Sequence, residues 1–230
     1  MNHNKNKISI IIPVLNEAKN IKQVLSNLPD SSNLEIIVVD GGSQDETVAI
    51  VRSLGIKILF SSGGRAMQMN TGAAMATGDI FLFLHADTIL PTGFPAMVTN
   101  ALAETGIIAG AFKLAIDAEI WGIGLIEKMV NWRSRFCSLP YGDQAIFLKA
   151  DVFKQIGGFP QLPIMEDFVL IRHLKKLGKI TILPVPAITS GRRWQKLGIV
   201  KTTSINQLMI IGYYLGISTE KLAHWYRNQK

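Results

Sequence analysis

Four short runs of consecutive apolar and β-branched residues, ISIIIPVL, LEIIVVD, IKILFS and DIFLFLHAD, punctuate the first ninety residues. Runs without polar alternation are buried on both faces. The segments between them, AKNIKQVLSNL, QDETVAIVRSLG and RAMQMNTGAAMATG, carry apolar residues at helical spacing, the second closed by Gly55. Strands alternating with helices in this way predict an α/β fold, a mostly parallel twisted sheet flanked by helices. Ligands of such sheets bind beyond the carboxyl ends of the strands, so the polar residues at those ends are the first candidates for a site.

After Leu90 the alternation loosens. PTGFPAMVTNALAE reads as a helix, AGAFKLAI and QAIFLKA as strands, and EIWGIGLIEKMVNWRSRF as a longer amphipathic helix between them. A change in composition near Trp194 sets off a basic, aromatic tail, and the expected division is a domain over 1–190 and a mainly helical tail over 191–230. Within the tail, INQLMIIGYYLGI is flanked by Lys196, Lys201, Lys221 and Arg227. It suits either a helix packed on the domain or one lying in a membrane surface.

The chain has 230 residues, 48% of them hydrophobic and 18% charged, which excludes disorder. No apolar stretch reaches the roughly 18–20 residues that span a bilayer. MNHNKNK runs directly into the first strand with no cleavage signal, and the lone Cys137 is read as a core thiol, so the expected location is cytoplasmic or the cytoplasmic face of a membrane. The net charge of +7 is concentrated toward the end, in IRHLKKLGK, SGRRWQKLG and HWYRNQK. These lack the patterns of the common RNA-binding modules, so phosphate or lipid headgroups are expected and nucleic acid is not.

Two strands end in PVLNEA and VVDGGSQDET. Both suit ordinary helix capping, and both also offer carboxylates and close backbone approach to a base or ribose. No G-x-G-x-x-G, Walker lysine motif or G-x-S-x-G occurs, which removes the main support for nicotinamide oxidoreductases, P-loop nucleotidases and serine hydrolases.

Taken in order, IIPVLNEA, VVDGGSQDET, GRAMQMNTGAAMATGD, LHADT, GDQAIF and MEDF resemble the inverting glycosyltransferase family two, a family of GT-A fold. The small stand-alone members share the LHADT, GDQ and MEDF wording. The resemblance places Pro13, Leu15, Glu17, Asp40 and Gly42 at the nucleobase and ribose, and Arg65 where a basic residue approaches the nucleotide. It puts Asp87 on the nucleotide and on a divalent metal, Mn2+ or Mg2+. His85 stands in place of the family's first Asp, and either ligates the metal or points into the core, the second being expected. Asp167 matches the family's base, with Glu166 as its orienting neighbour.

Asp143 and Gln144 would meet sugar or acceptor hydroxyls, and Tyr141 would offer a stacking face. SGRRW is similar to the end of the Gln-x-x-Arg-Trp motif of processive members, with Ser190 in place of glutamine. It places Arg193 and Trp194 over the diphosphate and acceptor. The resemblance thus implies a metal-dependent transferase moving a sugar from a nucleoside diphosphate, UDP favoured, to an unidentified acceptor hydroxyl, a lipid-linked one among the candidates. The rival reading is a catalytically idle nucleotide-sugar-binding or lipid-surface interaction module.

Overall fold

The computed structural model describes residues 7–229. Strands β1 (Ile8–Val14), β2 (Leu34–Asp40), β3 (Lys57–Phe60) and β4 (Ile80–Phe83) alternate with helices α1 (Ala18–Ser26), α2 (Thr47–Ser53) and α3 (Arg65–Met75). They form parallel pairs, β1 with β2 and β4, and β2 with β3. Side-chain alternation then divides the core. Ile8, Ile10, Ile12 and Val14 enter one apolar cluster together with Val38, Ile80 and Leu82. Ile11, Ile37, Val39, Phe81 and Phe83 enter the cluster on the other face. Each fully buried isoleucine of β1 contributes roughly 2–3 kcal/mol of burial free energy.

Helix α3 lies unusually close to the sheet. A Cβ at Gly72 would come within 2.5 Å of Ile11 Cγ2 and 3.0 Å of Val39 Cγ2. The small residues of RAMQMNTGAAM are therefore a packing requirement as well as a motif.

The second half adds β5 (Thr88–Ile89), α4 (Phe94–Ala103), β6 (Ile107–Asp117), α5 (Ile123–Cys137), a 3-10 turn at Gly142–Gln144, β7 (Phe147–Lys149), α6 (Ala150–Gln155), α7 (Glu166–Leu174) and β8 (Lys179–Ser190). The sheet order is β3-β2-β1-β4-β7-β6-β8-β5. Pairings β4–β7, β6–β7 and β5–β8 are antiparallel, whereas β6–β8 is parallel.

Strand β8 does not read as a strand in sequence, because ITILPVPAITS contains two prolines. The register shift between Phe112↔Leu183 and Lys113↔Pro186 accommodates them. The run expected as one strand over 79–87 stops at Phe83, and Leu84 to Asp87 form a turn into β5. Cys137, expected in the core, is exposed at the end of α5, where its carbonyl accepts a hydrogen bond from Lys175 Nζ at 2.6 Å.

The tail comprises α8 (Arg192–Leu197), α9 (Ile199–Tyr214) and α10 (Thr219–Arg227). Met209 and Leu222 join Met165, Phe168 and Val169 of the α7 region in a third apolar cluster. The Phe168 ring meets Tyr213 edge-on at 5.6 Å. One side of the tail is thereby packed on the segment that carries Glu166 and Asp167.

Candidate active site

The carboxyl ends of β1 and β2 are tied together before any ligand is considered. Gln68 of α3 donates through Nε2 to the carbonyls of both Val14 and Val39, each at 2.8 Å. Asn16, held at φ 56°, accepts from Gln44 N through Oδ1 at 2.8 Å, and its own N–H donates to Ser43 Oγ at 2.9 Å. Asp40, only 2% exposed, accepts from the N–H groups of Gly42 and Ser43 at 2.9 Å through Oδ1. Its Oδ2 is buried without a hydrogen-bond partner. An orphaned buried carboxylate oxygen is costly, and a ribose or base donor would satisfy it.

Pro13 is buried in β1 opposite Val39, Leu15 stands exposed just beyond that strand, and Gly42 is exposed at φ 102°.

Asp87 occupies the turn between β4 and β5, its side chain 24% exposed. Its Oδ2 accepts from Arg192 Nη2 at 3.0 Å, and the same nitrogen lies 3.1 Å from both carboxylate oxygens of Glu17. Arg192 therefore joins the β1 end, the β4 end and the start of α8. Local sequence singled out Arg193 and Trp194 from SGRRW; the side chain that reaches this cleft is their predecessor. Arg193 instead stacks over the Tyr226 ring, 4.2 Å from its centroid, and donates to the Tyr226 hydroxyl. Trp194 Nε1 is buried without a hydrogen-bond partner.

Across from these residues, Met165 takes a left-handed conformation, φ 69°, rare for a side chain of this kind, at the start of α7. It presents the two acids differently. Glu166 is 2% exposed and paired with Arg65 Nε, so Arg65 of α3 is anchored to α7. Burial opposes the Arg65 charge, but the Glu166 and Asp167 carboxylates outweigh it and raise its pKa. Asp167 is only partly buried; its Oδ2 accepts from Gly142 N at 2.8 Å and its Oδ1 from Phe168 N at 2.7 Å. Asn70 of α3 clamps the loop leading to α7 through both its amide atoms to Phe159, at 2.8 and 2.9 Å.

His85 and Asp167 converge on Gly142. A Cβ there would approach His85 Nε2 to 2.8 Å and Asp167 Oδ2 to 3.2 Å. His85 is therefore partly exposed at the cleft and not sunk in the core, its Nε2 3.5 Å from Arg65 Nη1. Burial, reinforced by the Arg65 cation, pushes its pKa down to about 4, so the ring is neutral at physiological pH.

Next in the turn, burial pushes the Asp143 carboxyl up to about 6; Arg133 opposes the shift and Asp167 adds to it. Asp143 Oδ1 has no hydrogen-bond partner. Gln144, expected at the acceptor, is fully buried: its Oε1 accepts from Ser134 at 2.7 Å and its Nε2 donates to the Phe112 carbonyl at 2.8 Å. In this structure it builds the turn and offers no surface to a ligand. The Arg133 guanidinium covers the Tyr141 ring at 3.6 Å.

Among the described residues, no three His, Cys, Asp or Glu side chains cluster as a metal site. Asp87 supplies a hard carboxylate, with Glu17 sharing Arg192 beside it, and this fits a divalent cation only if a bound diphosphate contributes the remaining oxygens. Gln68, Asn70 and Arg192 escaped sequence reasoning. The first two lie within the run GRAMQMNTGAAMATGD without a signal of their own; the third holds an unspecified position inside SGRRW.

Comparison with known proteins bears on the fold and the family. The chain is 38% identical over 170 residues to the glycosyltransferase AglE of Haloferax volcanii, covering 66% of this chain and 56% of AglE. It spans between 56% and 62% of the length of this and the next curated relatives. The mannosyltransferase PcManGT from Pyrobaculum calidifontis, solved with GDP-Man and Mn2+, superposes with a TM-score of 0.61 at 22% identity over 80% of this chain and 56% of its own. S. aureus TarS in complex with UDP gives 0.66 at 20% identity, over 80% and 60% of the respective chains. These likenesses show the GT-A fold. The family described as glycosyl transferase family 2 matches residues 9–152, which take in Asp87 and β1 to β7 apart from Ile8, and the chain belongs to that family.

Proposed function

We propose that the chain transfers a sugar, with inversion, from a nucleoside diphosphate to an acceptor hydroxyl. The observation that carries this reading is the convergence of His85 and Asp167 on Gly142. It joins the β4 end, where Asp87 faces a diphosphate, to the α7 start, where a carboxylate stands partly open.

On the donor side, Asp40 Oδ2 meets the nucleoside, and Leu15 and Gly42 let its base approach the backbone. Glu17 and Arg192 flank the diphosphate. Asp87 would hold a divalent cation, Mn2+ or Mg2+, which supplies charge neutralisation to the departing diphosphate. Support for that cation comes from the Mn2+ and GDP-Man bound by PcManGT. UDP is the favoured nucleotide, in keeping with the UDP bound to TarS.

On the acceptor side, the hydroxyl oxygen attacks the anomeric carbon as the bond from that carbon to the diphosphate oxygen breaks. Its proton passes to Asp167, whose two N–H contacts hold the carboxylate in place. Glu166 acts through Arg65, which it fixes, and the unpartnered Asp143 oxygen receives another acceptor hydroxyl. Arg193, held on Tyr226, serves the tail packing more directly than the diphosphate.

A thermal-shift panel of nucleoside diphosphates with and without Mn2+ tests the donor side. Selective stabilisation by one nucleotide, enhanced by the metal, is expected; no stabilisation by any of them would contradict the reading.

A further inference from the structure

Helix α5 buries only Ser134. Leu125, Met129, Trp132 and Phe136 are all exposed, and their spacing puts them on a single face of the helix. Trp121, just before the helix, is 97% exposed. The Trp132 and Phe136 rings lie against each other, centroids 5.4 Å apart. Helix α9 contributes a second stripe: Val200, Leu208 and Ile211, continued by Leu215, are exposed and share one face, distinct from the face it buries.

Between the two helices runs an open groove of about 440 Å3, lined by Ile126, Met129, Trp132, Arg133, Thr203 and Gln207. It contains an unusual feature for an apolar groove. Arg133 Nε and Nη2 and Thr203 Oγ1 are buried without hydrogen-bond partners.

We propose that α5 and the adjoining face of α9 dock on a phospholipid bilayer bearing anionic headgroups, with the groove taking acyl chain and Arg133 facing a headgroup phosphate. Charge complementarity selects this occupant. Within α5, Lys128, Arg133 and Arg135 oppose Glu127 alone, and Glu127 is turned inward, accepting from Ile116 N at 2.6 Å. Lys196 and Lys201 add exposed positive charge beside the α9 stripe.

A second copy meeting this face about a two-fold axis would bring the basic helices together, which disfavours a self-association surface. A bilayer surface attracts them, by about 1 kcal/mol per basic residue. Tryptophans at the edge of an apolar stripe suit the headgroup level. Among the described residues no helix is long and apolar enough to cross a membrane, so the surface lies on the bilayer and not through it.

The placement also has a functional consequence, which rests on the transfer reading. Ser134 and Arg133 of α5 contact Gln144 and Tyr141, so the acceptor-side turn is attached directly to the docking helix. A lipid-held acceptor would be delivered there.

Cosedimentation of the whole chain with phosphatidylcholine vesicles, with and without phosphatidylglycerol, tests the surface at low salt. Binding to the mixed vesicles only is expected, and the Leu125→Glu/Phe136→Glu variant should lose it by roughly tenfold or more. The same variant should keep its stabilisation by nucleotide and Mn2+, which separates failure of this surface from failure of the transferase reading. In a second measurement, brominated phosphatidylcholine in mixed vesicles should quench wild-type fluorescence and spare the conservative Trp121→Phe/Trp132→Phe variant. Three results would each overturn the proposal: wild-type protein remaining in the supernatant, undiminished sedimentation of the glutamate variant, or a wild-type dimer that the variant dissolves.

Discussion

Arg192 Nη2 lies 3.0 Å from Asp87 Oδ2 while also contacting Glu17, so the carboxylate proposed to hold a cation is paired with a protein cation. Two acids brought together at strand ends would repel each other, and Arg192 removes that repulsion. A bound metal must share Asp87 with it or displace it. The partners are partly exposed, so the pair is weak enough to open.

Arg192→Gln should therefore raise the apparent affinity for Mn2+ at saturating UDP by roughly two- to fivefold, since exposed ion pairs contribute about 1 kcal/mol or less. Titration followed by the electron paramagnetic resonance signal of free Mn2+ measures this. Weaker Mn2+ binding in the variant would mean that Arg192 helps to hold the metal site together.

Asp87→Ala removes the carboxylate proposed to hold the metal. Mn2+ should no longer enhance UDP binding in calorimetric titration, while the melting temperature changes little, because the residue sits in a turn outside the core clusters. Retained Mn2+ enhancement would take Asp87 out of the metal site.

Gly142→Ala probes the meeting point of His85 and Asp167. The added methyl must displace one of them, because the ideal Cβ lies 2.8 Å from His85 Nε2 and 3.2 Å from Asp167 Oδ2. Turnover should fall by about tenfold or more while nucleotide affinity holds, the pattern of lost positioning at the reacting centre.

Asp143 gives a pH signature. Its carboxyl is raised to about 6 by burial, above the value of an unfolded chain. The sign follows: the folded state holds this proton more tightly, so the contribution to stability is complete below about pH 4 and is lost as pH rises through about 6. Asp143→Asn should match wild type in chemical denaturation near pH 4 and exceed it near pH 8, by at most about 3 kcal/mol. Equal stability at both pH values would show that the carboxyl is not strained by its surroundings.

The parts of the fold that were legible in the sequence are those where local pattern and burial coincide. β1, β2 and β4 are apolar on both faces because both faces are covered, and Gly55 ends α2 at φ 68° as its position suggests. Strand β8 was hidden because Pro184 and Pro186 argue against a ladder, and only its partner's register shift makes room for them. The choice between Arg192 and Arg193 was also hidden: neighbouring helical residues point about 100° apart, and the tail's Tyr226 claims one of them. α5 was expected to be amphipathic and is, but spacing alone does not say whether its apolar face meets a core or the outside.

The central claim is that this cleft transfers sugar with Asp167 taking the acceptor proton. Proton NMR of a nucleoside diphosphate sugar panel, each donor incubated with Mn2+ and water as the only acceptor, tests it most directly. The account predicts slow release of nucleoside diphosphate from one donor, the first sugar formed having the anomeric configuration opposite to the donor's. Asp167→Asn should lower that rate by on the order of 10². A first-formed sugar of retained configuration, wild-type rates in Asp167→Asn, or no release from any donor by the wild-type chain would contradict it.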